Sequence, residues 1–301
     1  MKRTRENEDD YSALVSFFKK VSGTYTQSEI ERLIDPVATM KIWAIRGYIG
    51  DWDSFSMNRG KNSYFYRRPT DGVFMFFHWD SDLAFQSGYR NSAFYNGASE
   101  GMKGIRPYIE QPYNLRLFKH FLATLVEDYT RDSALVSAWL QAEEDASTQY
   151  TVSTAYKNWF QSRETPANNF LGNSRNLTFA ITTNSGNTIT TSGQTQSLSG
   201  TAPLRVFKVE AEGHPEAQSA WTSETAWTLT GIVLAGGANL LTVNGVSEDG
   251  AILHQDTIRV NKTGNAPPVM ALTATPASWQ VSVFDPLVLR ASESWDPDGP
   301  P

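Results

Sequence analysis

Asp51-Trp-Asp-Ser-Phe55, Lys61-Asn-Ser-Tyr-Phe-Tyr-Arg67, Pro69-Thr-Asp-Gly72 and Val73-Phe-Met-Phe-Phe-His-Trp-Asp-Ser-Asp82 make up the stretch whose reading decides the fold. Ser63 to Arg68 and Val73 to Trp79 are aromatic, β-prone runs, and the turn chemistry of 69–72 between them predicts a hairpin. A three-residue loop of Thr70, Asp71 and Gly72, with the glycine left-handed, sets Pro69 against Val73 and Asn62 against Asp80. Directly opposed residues have Cβ atoms about 4.5–5.5 Å apart, close enough to share one hard cation through oxygen. A two- or four-residue loop moves the register by one and sends the two side chains to opposite faces.

Upstream of the hairpin the pattern is helical. Tyr11, Leu14, Val15 and Phe18 follow an amphipathic stripe with Asp9 or Asp10 at its cap. Thr26-Gln-Ser-Glu29 reads as a capping box, and Asp35-Pro36 as a cap followed by a first-turn proline. Val37, Met40, Ile42, Trp43, Ile45, Tyr48 and Ile49 then cover nearly every face, which predicts a helix buried all round. Downstream, a Gly- and Asn-rich loop is expected from about Gln86 to Pro107, with three further helices over Asn114 to Tyr129, Leu135 to Glu144 and Ala155 to Arg163.

Near Pro166 the composition turns to Ser, Thr, Asn and Gly. Apolar residues then alternate in short groups: Leu204/Val206, Phe207/Val209, Trp227/Leu229, Ile232/Leu234, Leu241/Val243 and Ile258/Val260. That spacing predicts an all-β sandwich. After Asn265-Ala-Pro-Pro268 a third segment starts, too short to close a sandwich of its own. The expected domains are 1–165, 166–264 and 265–301, the last a module cut short.

The whole-chain numbers restrict what this protein does. Its 301 residues carry a net charge of −6 and no cysteine, with 40% hydrophobic residues. Disulfides, thiolate metal sites and cysteine nucleophiles are excluded. An acidic chain without a basic stripe is not built to capture nucleic acid or an anionic membrane. No apolar run of about 18 residues is present to span a bilayer. The charged start, Met1-Lys-Arg-Thr-Arg-Glu-Asn-Glu-Asp-Asp10, is not an export signal.

Candidate chemistry lies at both ends of the hairpin. Asp53 followed five residues later by Asn58 has the spacing of a protein-kinase catalytic loop, where the Asp orients the attacking hydroxyl and the Asn holds a metal. Taken alone the spacing is common; an Asp reached through a hairpin, as Asp80 is, adds to it. At this point the residues resemble the CotH kinase family, spore-coat-type atypical protein kinases. That family has an Asp a few residues before an Asn-x-Tyr-x-Tyr strand, followed by Trp-Asp-x-Asp, and the likeness runs to about Arg163.

The resemblance implies a mainly helical, α+β kinase-like lobe using Mg2+ and ATP on a protein hydroxyl. Asp53 takes the place of the catalytic acid, Asn62 or Asn58 of the metal-binding amide, and Asp80 of the Asp that holds magnesium on ATP. Asp82 is a further metal ligand or a turn residue, and Trp79 lines the adenine or, like Trp52, belongs to the core. His78 stands where the family often has proline. Only the C-terminal half of that domain is covered. Residues 1–50 hold no glycine-rich strand pair and no Lys paired with a helical Glu, so a fragment with little activity of its own is expected.

The β-rich segment resembles the Ig-like modules of large secreted bacterial proteins, through Trp221-Thr-Ser-Glu-Thr-Ala-Trp227 and Gly236-Gly-Ala-Asn-Leu-Leu-Thr-Val-Asn-Gly245. Ser292-Glu-Ser-Trp-Asp-Pro-Asp-Gly299 resembles the opening of a PKD-type module. These likenesses imply a secreted or surface-bound parent truncated at its N-terminus, and a polysaccharide or surface partner for the sandwich. Two other readings stand beside the kinase-like one: an adhesion protein with a non-catalytic kinase-like scaffold, and a carbohydrate-processing enzyme with Asp53 and Asp80 as acid and base. Asp51 is expected to be a surface acid at a helix end. Asp296 and Asp298 read as a turn, with calcium binding as the alternative. His120, His214 and His254 carry no assigned role.

Overall fold

The computed structural model describes residues 11–23, 25–57, 61–95, 105–147, 154–264, 269–275 and 288–290, with Ser292 and Ser294. Helix α1, Ser12–Val21, has Tyr11 at its N-cap with no side-chain cap bond; Asp9 and Asp10 lie outside the described residues. Helix α2, Gln27–Glu31, opens on the expected capping box, in which Glu29 N bonds Thr26 Oγ1 and Thr26 N bonds the Glu29 carboxylate. Helix α3, Pro36–Tyr48, is capped by Asp35, whose Oδ1 accepts from Ala38 N at 3.0 Å.

Strand β1, Ser63–Arg67, pairs antiparallel with β2, Phe74–His78. One face of the hairpin, Phe65, Phe74 and Phe76, joins Phe17, Trp43 and Phe55 in the core. The rings are close, with Phe65 to Phe76 at 4.5 Å and Trp43 to Phe76 at 5.2 Å between centroids. Such contacts add to the burial energy of residues that already cover large areas. Phe74 N also bonds Leu33 O at 2.7 Å, which ties β2 to the turn before α3.

Helices α4, Ile105–Ile109, and α5, Pro112–Thr124, follow, so α4 begins inside the stretch expected to be loop. A π-helical turn, Leu125–Thr130, continues α5. Helix α6 spans Ser133–Ala146 and α7 spans Thr154–Leu171. Thus α7 runs past Arg163, where the composition placed its end, and carries Pro166 in its interior.

Beyond it two four-stranded sheets share one core around Trp227, Leu229, Leu198, Val243 and Val260. The first has the order β3-β5-β8-β7, made of Ala180–Ile181, Thr195–Thr201, Ala226–Val233 and Gln218–Trp221. The second has the order β4-β10-β9-β6, made of Ile189–Thr191, Ile252–Lys262, Gly237–Val246 and Lys208–Ala211. Every pairing is antiparallel except β4 with β10. Gly200 in β5 is required, because a Cβ there collides with the Trp227 ring and the Ala180 carbonyl.

Leu204, Val206 and Phe207 do not form the strand that their alternation suggested; they make the junction between the two halves. Leu204 is buried in the helical core, and α5 grips this segment. Arg116 donates to the carbonyls of Pro203 at 2.9 Å, Val206 at 2.5 Å and Glu224, with Trp221 stacked 3.3 Å from its guanidinium. His120 Nδ1 lies 2.7 Å from Leu204 O, and burial drives its pKa down to about 4. Lys41 reaches Glu248 at 2.9 Å.

Among the described residues of the third segment, β11, Thr273–Thr275, and β12, Val288–Arg290, are strands. Asp296 and Asp298 lie outside the described residues. Among the described residues no helix is long and apolar enough to cross a membrane.

Candidate functional site

Helix α3 is not buried all round: Ile45 is exposed and Ile42 half-buried, while Arg46 on the same helix is buried. A buried charge has to be paired. Its Nη2 lies 2.5 Å from Asp51 Oδ2, and the guanidinium also donates to Asp80 O at 3.2 Å and Trp79 O at 3.5 Å. One side chain therefore joins the end of α3 to the exit of β2.

Arg163 of α7 holds the same corner from the other side. It donates to Gly47 O at 2.8 Å and Tyr48 O at 3.1 Å, carbonyls at the C-terminus of α3, and to Arg90 O and Ser92 O at 2.6 and 2.8 Å. Gly47 lets the Phe94 carbonyl pack against the helix, in space that a Cβ needs. Neither arginine is singled out by its spacing. The available signal is a lone Arg46 among apolar neighbours on a helix that the pattern reads as core.

Asp51 is a buried acid and not a surface residue at a helix end. Its side chain is fully covered, Oδ2 takes the Arg46 pair and a 3.2 Å bond from Ser81 Oγ, and Oδ1 has no partner. Burial, the largest cause, outweighs the Arg46 charge and pushes the carboxyl up to about 6, helped by Asp53. Ser81 Oγ lies 3.0 Å from His78 Nε2.

Asp53 is also buried. Its Oδ2 pairs with Lys61 Nζ at 2.9 Å and its Oδ1 has no partner. Asp80 and Asp82 are exposed at the exit of β2, with Asp82 N bonded to Asp80 Oδ1 at 3.3 Å. Desolvation, then the Asp80 carboxylate, then Asp53 raise the Asp82 pKa. All four acids thus act on one another or on Arg46, whose charge interacts with Asp51, Asp53 and Asp80.

The hairpin register differs from the three-residue expectation. Arg68 N bonds Val73 O at 2.9 Å, which closes a loop over 69–72, and Ser63 faces His78. Asp71 enforces the longer loop, since Oδ1 accepts from Val73 N and the carboxylate holds Arg68 at 2.6 Å. Gly72 is left-handed as expected, with φ +75°. Asn62 consequently meets Trp79, whose N bonds its carbonyl at 3.1 Å, and not Asp80.

Alternation stops there. Asn62 and Asp80 both leave the strands in the left-handed region, φ 61° and 59°, where pairing no longer dictates side-chain direction. Asn62 Nδ2 is buried without a partner. Asn58 lies outside the described residues. Trp79 is 58% exposed, so it is not core; its ring meets Tyr64 edge-on at 5.5 Å. Trp52 is half-buried and stacks on Tyr89 at 5.5 Å. Among the described residues no group of three or more His, Cys, Asp or Glu is arranged to hold a metal ion.

No curated protein and no solved structure matches the chain. Residues 1–145, which hold α1 to α5, the hairpin and all four acids, match the model of the family described as CotH kinase protein, and this part of the chain is kinase-like.

Proposed function

We propose that the chain is part of a phosphotransferase that uses Mg2+ and ATP to phosphorylate a hydroxyl of a protein substrate. The observation that carries this reading is the buried Asp53, with one carboxylate oxygen free of any partner, beside Asp80 and Asp82 in a stretch matching the CotH kinase model. A buried oxygen without a partner is costly unless a ligand uses it.

The donors suit a hard cation: carboxylate oxygens of Asp80 and Asp82, and the Asn62 amide, whose orphaned nitrogen and oxygen exchange places by a simple flip. Asp80, Asp82 and Asn62 would hold the ion. A Mg2+ ion held there would supply positive charge against the phosphate charge that builds up during transfer. Asp53 orients the acceptor hydroxyl and takes its proton as the oxygen bonds to the γ-phosphorus and the bond to ADP breaks. Trp79, exposed above the hairpin end, offers a ring face to the adenine.

The paired sheets after α7 act as an Ig-like module of a secreted or surface-bound parent, with a PKD-like module after it. The second reading, a surface protein with a non-catalytic kinase-like scaffold and binding modules, is favoured by the Lys61–Asp53 pair, which neutralises the acid without any metal. Transfer of label from γ-labelled ATP to protein in the presence of Mg2+ separates the two. Transfer by the full-length protein that Asp53→Asn abolishes supports the enzyme; wild-type rates in that variant support the scaffold.

A further inference from the structure

A hairpin that packs on a core by one face commonly turns polar side chains to water on the other. This one does not. Opposite the core-facing Phe65, Phe74 and Phe76, the alternation brings out Tyr64 and Tyr66 of β1 and Phe77 of β2, all exposed, and Trp79 extends the row just past the strand. Tyr64 meets Trp79 at 5.5 Å and Tyr66 meets Phe77 at 6.3 Å between centroids, so the rings lie along the hairpin in two contacting pairs.

The same strand has an open edge. Trp79 N bonds Asn62 O and Arg68 N bonds Val73 O, and in an antiparallel ladder bonded pairs alternate with non-bonded ones. Asn62, Tyr64, Tyr66 and Arg68 therefore direct their backbone groups at β2, and Ser63, Phe65 and Arg67 direct theirs the other way. Among the described residues β1 pairs with β2 alone. N–H and C=O groups repeated at every second residue are the complement of an extended polypeptide, which supplies the matching row. The row also leads to the acid: Lys61, two residues before Ser63, is bonded to Asp53.

We propose that β1 is a docking strand for an extended segment of the protein substrate, which adds beside it as a third strand and carries its hydroxyl toward Asp53. The role of that segment as substrate rests on the reading of Asp53 as the residue that orients the acceptor. Antiparallel addition runs the segment from the hairpin tip to Asp53. Its residues opposite Tyr64 and Tyr66 take the non-hydrogen-bonded positions, where side chains are closest, so apolar residues two apart suit them. An acidic residue before them faces the exposed Arg67, and the Ser or Thr follows them at the level of Lys61.

Fluorescence anisotropy on the whole chain tests this with a labelled Glu-Val-Gln-Val-Lys-Gly-Ser peptide. Saturable binding is expected. A methyl group on the backbone nitrogen of the Gln or the Lys, which face the open row, weakens it about fivefold, and one on either Val, whose N–H points away, leaves it within about twofold. Tyr64→Ala and Tyr66→Ala each weaken binding about two- to fivefold. Leu240→Ala, at an exposed apolar residue of the sandwich, leaves it unchanged. No saturable binding, or binding indifferent to where the methyl group sits, overturns the strand addition. Sedimentation of wild type as a dimer that Arg67→Pro, lacking one edge donor, returns to monomer gives the edge to a second copy of the chain and overturns the substrate assignment. Phosphotransfer from γ-labelled ATP separates the two readings. Transfer to protein that Tyr64→Ala and Tyr66→Ala leave at the wild-type rate overturns the docking strand alone. Peptide binding of the expected pattern with no transfer to any protein overturns the phosphotransferase reading, and with it the role of the docked segment as substrate. Circular dichroism of each variant confirms that it is folded.

Discussion

Arg46 and Asp51 face each other at the end of α3, Nη2 to Oδ2 at 2.5 Å, both buried, and the same guanidinium holds the backbone of Trp79 and Asp80. This pair fixes where the hairpin exit lies relative to the loop that carries Asp53. Removing one member of a buried pair leaves the other charge stranded, at a cost of about 3–5 kcal/mol. Arg46→Met is therefore expected to lower the urea unfolding free energy by about that much. Asp51→Asn, which keeps the shape and the bond from Ser81, is expected to cost less.

Two buried groups give the stability opposite pH slopes. His120 has its folded pKa depressed to about 4 by burial, so its contribution is complete above about 6.5 and is lost as the pH falls toward 4, about 3 kcal/mol in all. Asp51 has its folded pKa raised to about 6. Its contribution is complete below about 4 and is lost as the pH rises through 6. Urea titrations between pH 4 and 7 should show His120→Gln removing the first slope and Asp51→Asn removing the second.

The grip of α5 on the sandwich makes a prediction about cooperativity. Arg116 supplies donors to the carbonyls of Pro203, Val206 and Glu224, and buried carbonyls left unpaired cost about 1–3 kcal/mol each. Arg116→Met is expected to split a shared calorimetric unfolding transition into two, or to widen an existing gap. An unchanged thermogram would show that the junction does not couple the halves.

Asp53 and Asp80 should separate in kinetics. On the proposed reading, in which Asp53 orients the hydroxyl, Asp53→Ala is expected to lower turnover by about a hundredfold or more and to leave nucleotide affinity within a few-fold of wild type. On the same reading Asp80→Ala is expected to weaken Mg2+-dependent nucleotide binding as well as turnover. Phosphotransfer rates and nucleotide titrations on the full-length protein measure both.

How much of this was legible can be seen from particular residues. The Thr26 capping box, the Asp35-Pro36 helix start and the aromatic hairpin were all readable, because each depends on residues only a few positions apart. The hairpin register was not, because it turned on whether Asp71 would close a longer loop by bonding Val73 N and Arg68, a competition between turns of nearly equal energy. Strands β3, β4, β5 and β7 were missed for another reason. Strand β3 is only two residues long, and β4, β5 and β7 are rich in Ser, Thr and Gln, a composition that carries little apolar alternation.

The site divides along the same line. The sequence by itself determined that acids flank the hairpin and that the stretch from Asp51 to Phe85 has a kinase-like signature, since local propensity and motif spacing are properties of the chain. Which acids are buried, that Arg46 and Lys61 each neutralise one of them, that Arg163 secures the end of α3 and that Arg116 locks the sandwich to α5 were decided by the tertiary structure alone. Burial and ion pairing depend on what else arrives at the same place, and Arg163 lies more than a hundred residues from the carbonyls of Gly47 and Tyr48 that it satisfies.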